Sequence, residues 1–206
     1  MHPEGYLKYI VEEIHSTVFA TVDKAGRPVT CAIDMMDCDG SGLYFLTARG
    51  KNFYKRLKGN ENVAFTAMKG EDTLSCVSVS VRGRAKELGQ EMLPELFAKN
   101  PYMAKIYQDE RSRGVLTVFK IYEGTGEFFD LRKLPIERAE FAFGGAQTGA
   151  EGYFVTEQCI GCKLCYSKCP SKCIDITCKP VTIRQENCLR CGNCYEACPV
   201  RAIERR

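Results

Sequence analysis

The sequence predicts a mainly β barrel module with a few helices, followed by a small α+β module rich in cysteine. Two observations predict the barrel: short strands recur at regular spacing over about 140 residues, and turn residues separate them. A third predicts the second module, because ten of the 13 cysteines lie after residue 158. We therefore expect a barrel over residues 1–140, a linker over residues 141–152 and a cysteine-rich domain over residues 153–206.

The barrel module should begin with an amphipathic helix at residues 4–15, where apolar residues recur at helical spacing. Residues 51–58 and 92–109 should also be helical, with the latter interrupted near residue 100. No element is expected over residues 132–152. Strands are predicted from apolar alternation at residues 18–22, 29–35, 43–47, 62–68, 77–82, 115–122 and 127–131.

Two cysteine runs near the C-terminus share the spacing Cys-x2-Cys-x2-Cys-x3-Cys-Pro. They are Cys159, Cys162, Cys165, Cys169 and Pro170, then Cys188, Cys191, Cys194, Cys198 and Pro199. Two-residue gaps let a tight loop aim three thiolates at one cluster, while the fourth cysteine points away and the proline turns the chain. A zinc ribbon would need two cysteine pairs, and a disulfide scaffold would need an oxidising compartment.

The paired runs resemble those of bacterial ferredoxins with two [4Fe–4S] clusters, in which the fourth cysteine of each run binds the other cluster. The resemblance covers residues 153–206. Gly161 and Gly192 should have positive φ or pass close to a cluster, and Ile160 and Leu189 should shield sulfur from water. The resemblance implies that one cluster is bound by Cys159, Cys162, Cys165 and Cys198, and the second by Cys188, Cys191, Cys194 and Cys169.

Several runs in the barrel module are similar to the pyridoxamine 5′-phosphate oxidase-like split β-barrel family. They are Thr17–Asp23, Gly26–Pro28, Leu43–Thr47, Arg49–Phe53, Asn62–Phe65 and Val81–Ala85. The resemblance covers roughly residues 10–130. It implies a split β-barrel that forms a homodimer and binds FMN at the subunit interface.

A flavin phosphate needs backbone N–H donors, a cation and hydroxyl groups. The stretch from Thr47 to Asn52 offers all three at a predicted strand-to-helix junction, although a solvated surface turn is the alternative. Ser78 and Ser80 could contribute from the partner subunit, or could form an ordinary solvated face. The resemblance implies phosphate contacts from Thr47, Arg49, Lys51 and Asn52, and a flavin lying along Thr30, Cys31, Ala32 and Ile33. Many family members carry an arginine in that last segment, and this chain has none there.

The remaining reactive side chains give weaker signals. Cys31, Cys38 and Cys76 lack metal-ligand spacing, and His2 and His15 are isolated, so no catalytic residue is assigned. Cys173 and Cys178 are surplus to the eight cluster ligands, and Cys173 is expected to pack near the clusters. The aromatic residues Phe128, Phe129, Phe141 and Phe143 are expected in the core or an interface.

Together the modules predict an oxidoreductase that passes electrons between two [4Fe–4S] clusters and FMN, and reduces or oxidises a small molecule. No Gly-x-Gly-x-x-Gly follows a predicted strand, so the electron partner should be ferredoxin-like or a reductase. Three alternatives stay open: a pyridoxamine 5′-phosphate oxidase-type enzyme, a non-enzymatic electron carrier or redox sensor, and a barrel that binds the deazaflavin F420. Oxygen-sensitive clusters disfavour the first and indicate an anaerobic host.

The charge distribution argues against a nucleic-acid partner. The net charge of +3 combines +4 over residues 153–206 with −1 over residues 1–152. Clusters with thiolate ligands are anions and offset much of the positive charge, and the basic residues form no aromatic-interleaved stripe. The N-terminus lacks a signal-peptide pattern and no apolar run reaches membrane-spanning length. We therefore expect a cytoplasmic protein without membrane association.

Overall fold

The computed structural model describes residues 2–206, which form two units that interleave along the chain. Unit 1 contains the described residues up to Gly70, then Ser78–Phe128 and Glu140–Thr148. Unit 2 contains Glu71–Val77, Phe129–Ala139 and Gly149–Arg206. Two segments from earlier in the chain therefore join the cysteine-rich region in unit 2.

A closed barrel of six strands forms the centre of unit 1, as the sequence predicted. The strands of the sheet are β1 (Ser16–Val22), β2 (Pro28–Asp39), β3 (Gly42–Ala48), β4 (Asn62–Lys69), β5 (Val77–Gly89), β6 (Leu116–Asp130) and β7 (Glu137–Phe143). Their order is β3-β2-β1-β4-β5-β6-β7, and β3 also pairs antiparallel with β6. This additional pairing closes the barrel, and β7 extends the sheet beside β6.

Aromatic side chains fill the barrel interior. Phe19, Phe45 and Phe119 are almost fully buried. The ring centroids of Phe19 and Phe45 lie 5.0 Å apart, and those of Phe45 and Phe119 lie 5.6 Å apart. Phe53, on helix α2 (Asn52–Gly59), packs edge-on against Phe19 at 5.4 Å. Because large rings dominate core energetics, this contact fixes α2 against the barrel at the end of β3.

The N-terminal helix forms where it was predicted, but it changes from an α-helix to a π-helix along its length. Helix α1 (Pro3–Tyr9) continues as a π-helical turn, Ile10–Ile14, which ends at His15 with φ +67°. The predicted helix at 92–109 forms as two short helices, α3 (Leu93–Lys99) and α4 (Met103–Ile106), with the expected interruption near residue 100. A third short helix, α5 (Glu110–Arg113), follows the predicted segment. Within residues 2–206, none of the helices is long and apolar enough to cross a membrane.

The sequence expectations for residues 115–131 and for the linker need correction. The two strands expected at 115–122 and 127–131 are one strand, β6, and part of the expected linker is strand β7, which ends at Phe143. Gly124 and Gly126 both lie within β6, where a Cβ would lie 2.9 Å from Phe143 and 2.2 Å from Phe141. The two glycines thus make room for rings of the adjacent strand.

Unit 2 contains two small antiparallel sheets and two short helices, arranged as two similar halves. Strand β8 (Tyr153–Val155) pairs with β11 (Ile203–Arg205), and β9 (Ile174–Asp175) pairs with β10 (Thr182–Ile183). The helices are α6 (Leu164–Lys168) and α7 (Asn193–Glu196), and a 3-10 turn spans Gln185–Asn187. Apolar side chains from all four strands and most of the cysteines share one core.

Candidate cofactor sites

Unit 2 contains two cavities, and each is lined by three cysteines of one run and the fourth cysteine of the other. Cavity I is lined by Cys159, Cys162, Cys165 and Cys198. Cavity II is lined by the corresponding set, Cys188, Cys191, Cys194 and Cys169. The fourth cysteine of each run therefore faces the cavity of the other run. Ile160 also lines cavity I and Leu189 lines cavity II, although Ile160 remains 54% exposed.

Left-handed backbone conformations shape the loop beside each cavity. Gly161 and Gly192 have φ of +75° and +82°, as the sequence suggested. Each loop also has a second such position that is not glycine, namely Lys163 at +62° and Arg190 at +53°. Glycine thus occupies the first of the two positions in one loop and the second in the other. Turns of this kind direct successive backbone N–H groups into a concavity that favours anions.

Backbone donors already reach two of the cysteine sulfurs. The Arg190 N–H donates to Cys188 Sγ at 3.4 Å, and the Ala202 N–H donates to Cys198 Sγ at 3.2 Å. Such N–H···S contacts stabilise thiolates and tune the potential of a bound cluster. The cavities therefore provide hydrogen bonds to ligand sulfur as well as the sulfurs themselves.

The protein environment affects the thiols of the two cavities differently. Burial raises the pKa of Cys165, beside cavity I, and raises that of Cys194, beside cavity II, to about 11. A hydrogen bond from Cys173 lowers the pKa of Cys188 against the opposing effect of burial. The charges of Arg138 and Arg190 act in the same direction as that hydrogen bond. Arg138 reaches this region by donating from Nη1 to the Cys188 carbonyl at 3.3 Å.

The donor sets fit iron–sulfur clusters. Each set consists of four thiols that line one cavity, and cysteine thiolates are the ligands of [4Fe–4S] clusters. Ser171 Oγ, which also borders cavity II, is buried without a hydrogen-bond partner among the described residues. An unsatisfied hydroxyl costs free energy in a dry interior, and a cluster sulfide would accept its hydrogen bond.

In unit 1, the junction between β3 and α2 carries the residues expected to bind a flavin phosphate. Thr47 is 3% exposed, and its Oγ1 has no hydrogen-bond partner among the described residues. Lys51 is the N-cap of α2, without a side-chain capping bond, and Asn52 is the first helical residue. Arg49 is partly engaged, because its Nη2 donates to the Gly114 carbonyl at 2.5 Å. An orphan hydroxyl, a helix N-terminus and cations therefore occur together here.

The structure also brings Cys31 of β2 close to this junction. Burial raises the pKa of the Cys31 thiol, and the charges of Arg56 and Lys51 partly offset that effect, which places both cations near Cys31. Arg56, on α2, donates from Nε to Thr21 Oγ1 at 2.7 Å. Sequence reasoning missed Arg56, although its position on the helix that follows the phosphate stretch was a usable signal. It supplies a cation near the segment in which the family arginine is absent.

The predicted flavin segment, residues 30–33, is divided between two faces of the barrel wall. Cys31 pairs with the buried Phe19, whereas Thr30 and Ala32 pair with Ala20 and Val18 on the outer face. That outer face continues across β1, β4 and β5, where Val18 pairs with Thr66 and Thr66 bonds to Ser80 at 3.0 Å. By strand alternation Ser78 belongs to the same face. Ser78, Thr30 and Ala32 are therefore separated from Cys31 by the sheet.

A polar network that sequence reasoning missed lies at the end of the π-helical turn. His15 Nε2 lies 2.8 Å from Tyr102 Oη, which in turn donates to Asp34 Oδ2 at 2.8 Å. Burial and this hydrogen bond raise the pKa of Tyr102. Asp34 directly follows the predicted flavin segment. His15 looked isolated because its partners are 19 and 87 positions away in sequence, so only the fold brings them together.

Two family models match the chain. The family model for pyridoxamine 5′-phosphate oxidase matches residues 4–125, and the model for the 4Fe–4S binding domain matches residues 153–175 and 181–204. No curated protein matches the chain at a significant level.

Solved structures resemble the barrel part of the chain. A NimC/NimA family protein of Clostridium acetobutylicum is 16% identical, with a TM-score of 0.56, and the match covers 68% of this chain and 92% of that chain. A conserved hypothetical protein of Mycobacterium tuberculosis is also 16% identical, with a TM-score of 0.54 and coverage of 73% and 94%. A C. acetobutylicum protein related to general stress protein 26, of the pyridoxinephosphate oxidase family, has 17% identity, a TM-score of 0.52 and coverage of 67% and 94%. At these identities the similarity shows the fold.

Proposed function

The chain belongs to the pyridoxamine 5′-phosphate oxidase family and carries a C-terminal 4Fe–4S ferredoxin domain, and from this premise we propose a flavin and iron–sulfur oxidoreductase. It passes electrons between two [4Fe–4S] clusters and an FMN, and reduces or oxidises a small molecule. The observation that carries the proposal is the pair of cavities lined by the eight cysteines, in a chain that also contains a barrel of this family. When bound, FMN supplies one- and two-electron chemistry and the clusters supply one-electron transfer.

The four assigned cysteines of each cavity bind one of the two clusters. Cys159, Cys162, Cys165 and Cys198 bind one cluster, and Cys188, Cys191, Cys194 and Cys169 bind the other. Cys162 and Cys191 are the exposed member of each set, so they lie where an electron partner can approach. We expect that partner to be ferredoxin-like or a reductase.

The β3–α2 junction binds the FMN phosphate. Thr47 donates its unpaired hydroxyl, Lys51 and Arg49 supply positive charge, and Asn52 presents the first N–H groups of α2. Arg56 adds a second cation near Cys31. These groups bind and orient the cofactor.

A homodimer formed through the barrel accounts for the outer face of β2, β1, β4 and β5. The residues in the central part of this face are uncharged, and Val18 there is 60% exposed. The face comprises Val18, Ala20, Thr30, Ala32, Ala64, Thr66, Ser78 and Ser80. Interface centres are depleted in charged residues, so this face suits a second copy of the chain. Ser78 can then contribute to the partner's flavin site.

Anaerobic purification, an absorption spectrum and assays of iron, sulfide and released cofactor test the proposal. About eight irons per chain with one FMN support it. Released F420 instead of FMN would identify a deazaflavin protein. Full cofactors without turnover of any acceptor or donor would favour an electron carrier or sensor, and oxygen-dependent oxidation of pyridoxamine 5′-phosphate would favour the oxidase.

Replacing Lys51 with alanine tests the phosphate site. A lost hydrogen bond to a charged group costs about 1.5–3 kcal/mol, so the dissociation constant for FMN should rise roughly 10–150-fold. Lys55→Ala is the matched control, because Lys55 is exposed on the same helix one turn further on. Titration of flavin-free protein with FMN measures both. Equal FMN affinity in the two variants would show that the junction is only a surface turn.

A further inference from the structure

Cavity II is lined by a fifth cysteine that the ligand set does not use. Cys173 is 1% exposed and borders the cavity together with the four cysteines assigned to it. Its Sγ lies 3.5 Å from Cys169 Sγ, and it also hydrogen-bonds to Cys188. Cys173 is therefore in contact with two of the four thiols that bind the second cluster.

The corresponding position beside cavity I holds no sulfur. The sequence from Cys169 to Ile174 repeats as the sequence from Cys198 to Ile203, and in this repeat Ala202 stands where Cys173 stands. Ala202 lines cavity I as Cys173 lines cavity II.

The backbone is alike at both sites. The residues that precede Cys173 and Ala202, Lys172 and Arg201, have φ of +51° and +52°. The residues that follow, Ile174 and Ile203, are buried to 2% and 3% exposure. The two cavities therefore differ at this point by one side chain, and the added thiol is not explained by a different fold.

We propose that Cys173 is a reserve ligand, able to replace Cys169 on the iron of the cluster in cavity II. The inference rests on the proposed function, which places a four-iron cluster there. In the exchange the iron–sulfur bond to Cys169 breaks and a bond to Cys173 forms. The proton on the Cys173 thiol passes to the released Cys169 thiolate, and no electron is transferred.

The geometry suits this exchange for two reasons. The 3.5 Å separation of the two sulfurs lets the proton pass directly between them. Both side chains already face the same cavity, so a change of side-chain rotamer is enough for the exchange and the backbone need not move. The cluster in cavity I has no such reserve, and loss of Cys198 there leaves one iron without a protein thiolate.

Alanine variants at the two equivalent ligands test the inference. Wild-type protein, Cys169→Ala, Cys198→Ala and the double variant Cys169→Ala/Cys173→Ala are reconstituted anaerobically and assayed for iron and by electron paramagnetic resonance. We expect Cys169→Ala to keep about eight irons and two four-iron spectra. Cys198→Ala and the double variant should each lose one cluster or convert it to a three-iron form.

Two results would overturn the inference, and they are distinguishable. Equal iron loss in Cys169→Ala and Cys198→Ala, with full iron in the wild type, would refute the reserve ligand and leave the proposed function intact. A wild type that binds no iron would refute the proposed function itself.

A second variant guards against misfolding of Cys169→Ala. Cys173→Ala keeps all eight assigned ligands, and it should lose iron from cavity II several-fold faster than wild type when exposed to air. An unchanged rate of iron loss would count against the exchange.

Discussion

Gly126 of β6 lies under the ring of Phe141 in β7, and replacing it with alanine should destabilise unit 1. A Cβ at Gly126 would lie 2.2 Å from Phe141 Cζ and 2.6 Å from Cε1. Ordinary van der Waals contact begins at 3.4 Å, so the ring would have to retreat by about 1.2 Å.

The surrounding rings leave little room for that retreat. Phe141 is 3% exposed and stacks on Tyr6 with ring centroids 4.8 Å apart. Tyr6 in turn packs against Phe128 at 5.2 Å. Overpacking of a closed core costs about 1–3 kcal/mol, which corresponds to a fall in melting temperature of roughly 2–12 °C for a chain of this size.

Urea unfolding and thermal melting, monitored by tyrosine fluorescence because the chain has no tryptophan, measure the effect. Gly40→Ala is the matched control, since a Cβ there would meet nothing within 4 Å. Combining Gly126→Ala with Phe141→Leu should recover part of the loss, because the smaller side chain vacates the space. Equal melting temperatures for Gly126→Ala and Gly40→Ala would refute the reasoning.

Three further predictions concern charge. Burial acts to raise the pKa of Asp39, but hydrogen bonds from Tyr44 and Lys120 hold that pKa well below its usual range. Asp39→Asn should therefore destabilise the barrel closure. The full loss of stability should be seen above about pH 4, and the loss should become smaller as the pH falls further. The reason is that Asp39 is protonated at a higher pH in the unfolded chain than in the folded protein. Arg138→Leu should lower the potential of the cluster in cavity II by about 20–60 mV, since a weakened charge interaction of about 0.5–1.4 kcal/mol corresponds to that range. Val18→Glu, which puts a charge on the proposed dimer face, should yield monomers in sedimentation equilibrium.

Each of these predictions has a result that contradicts it. A pH-independent difference between wild type and Asp39→Asn would show that the carboxylate does not contribute through its charge. Equal potential shifts in both clusters of Arg138→Leu would mean a general charge effect. A Val18→Glu protein that remains dimeric would place the interface elsewhere.

Much of the fold was predictable because its signals are local. The alternation of valines in β5 and the turn residues before β2 and β3 each act over a few positions. The cysteine spacing is equally local, and the ferredoxin resemblance that it carries implied which fourth cysteine faces which cavity. Strand β6 was misinterpreted as two strands because the purpose of Gly126 becomes visible only when Phe141 is seen to lie against it.

The site residues that sequence missed depend on distant contacts. Arg56 was read only as part of a helix, and its position near Cys31 depends on how α2 packs on the barrel. His15 likewise acquires partners only through the fold. No periodicity or spacing carries such information, because the contacting residues belong to elements that are far apart in sequence.

The two cluster cavities have the same cysteine motif but different cations near them, and this difference predicts which cluster has the higher reduction potential. Arg138 comes from β7, outside either cysteine run, and donates to the Cys188 carbonyl beside cavity II. The cation that lines cavity I, Lys163, is exposed, so solvent and salt screen it more strongly. A cluster gains negative charge on reduction, and a less screened cation favours the reduced form. Cavity II should therefore hold the cluster of higher reduction potential, which is the cluster that stays reduced for longer. It is also the cavity in which Cys173 supplies an additional thiol.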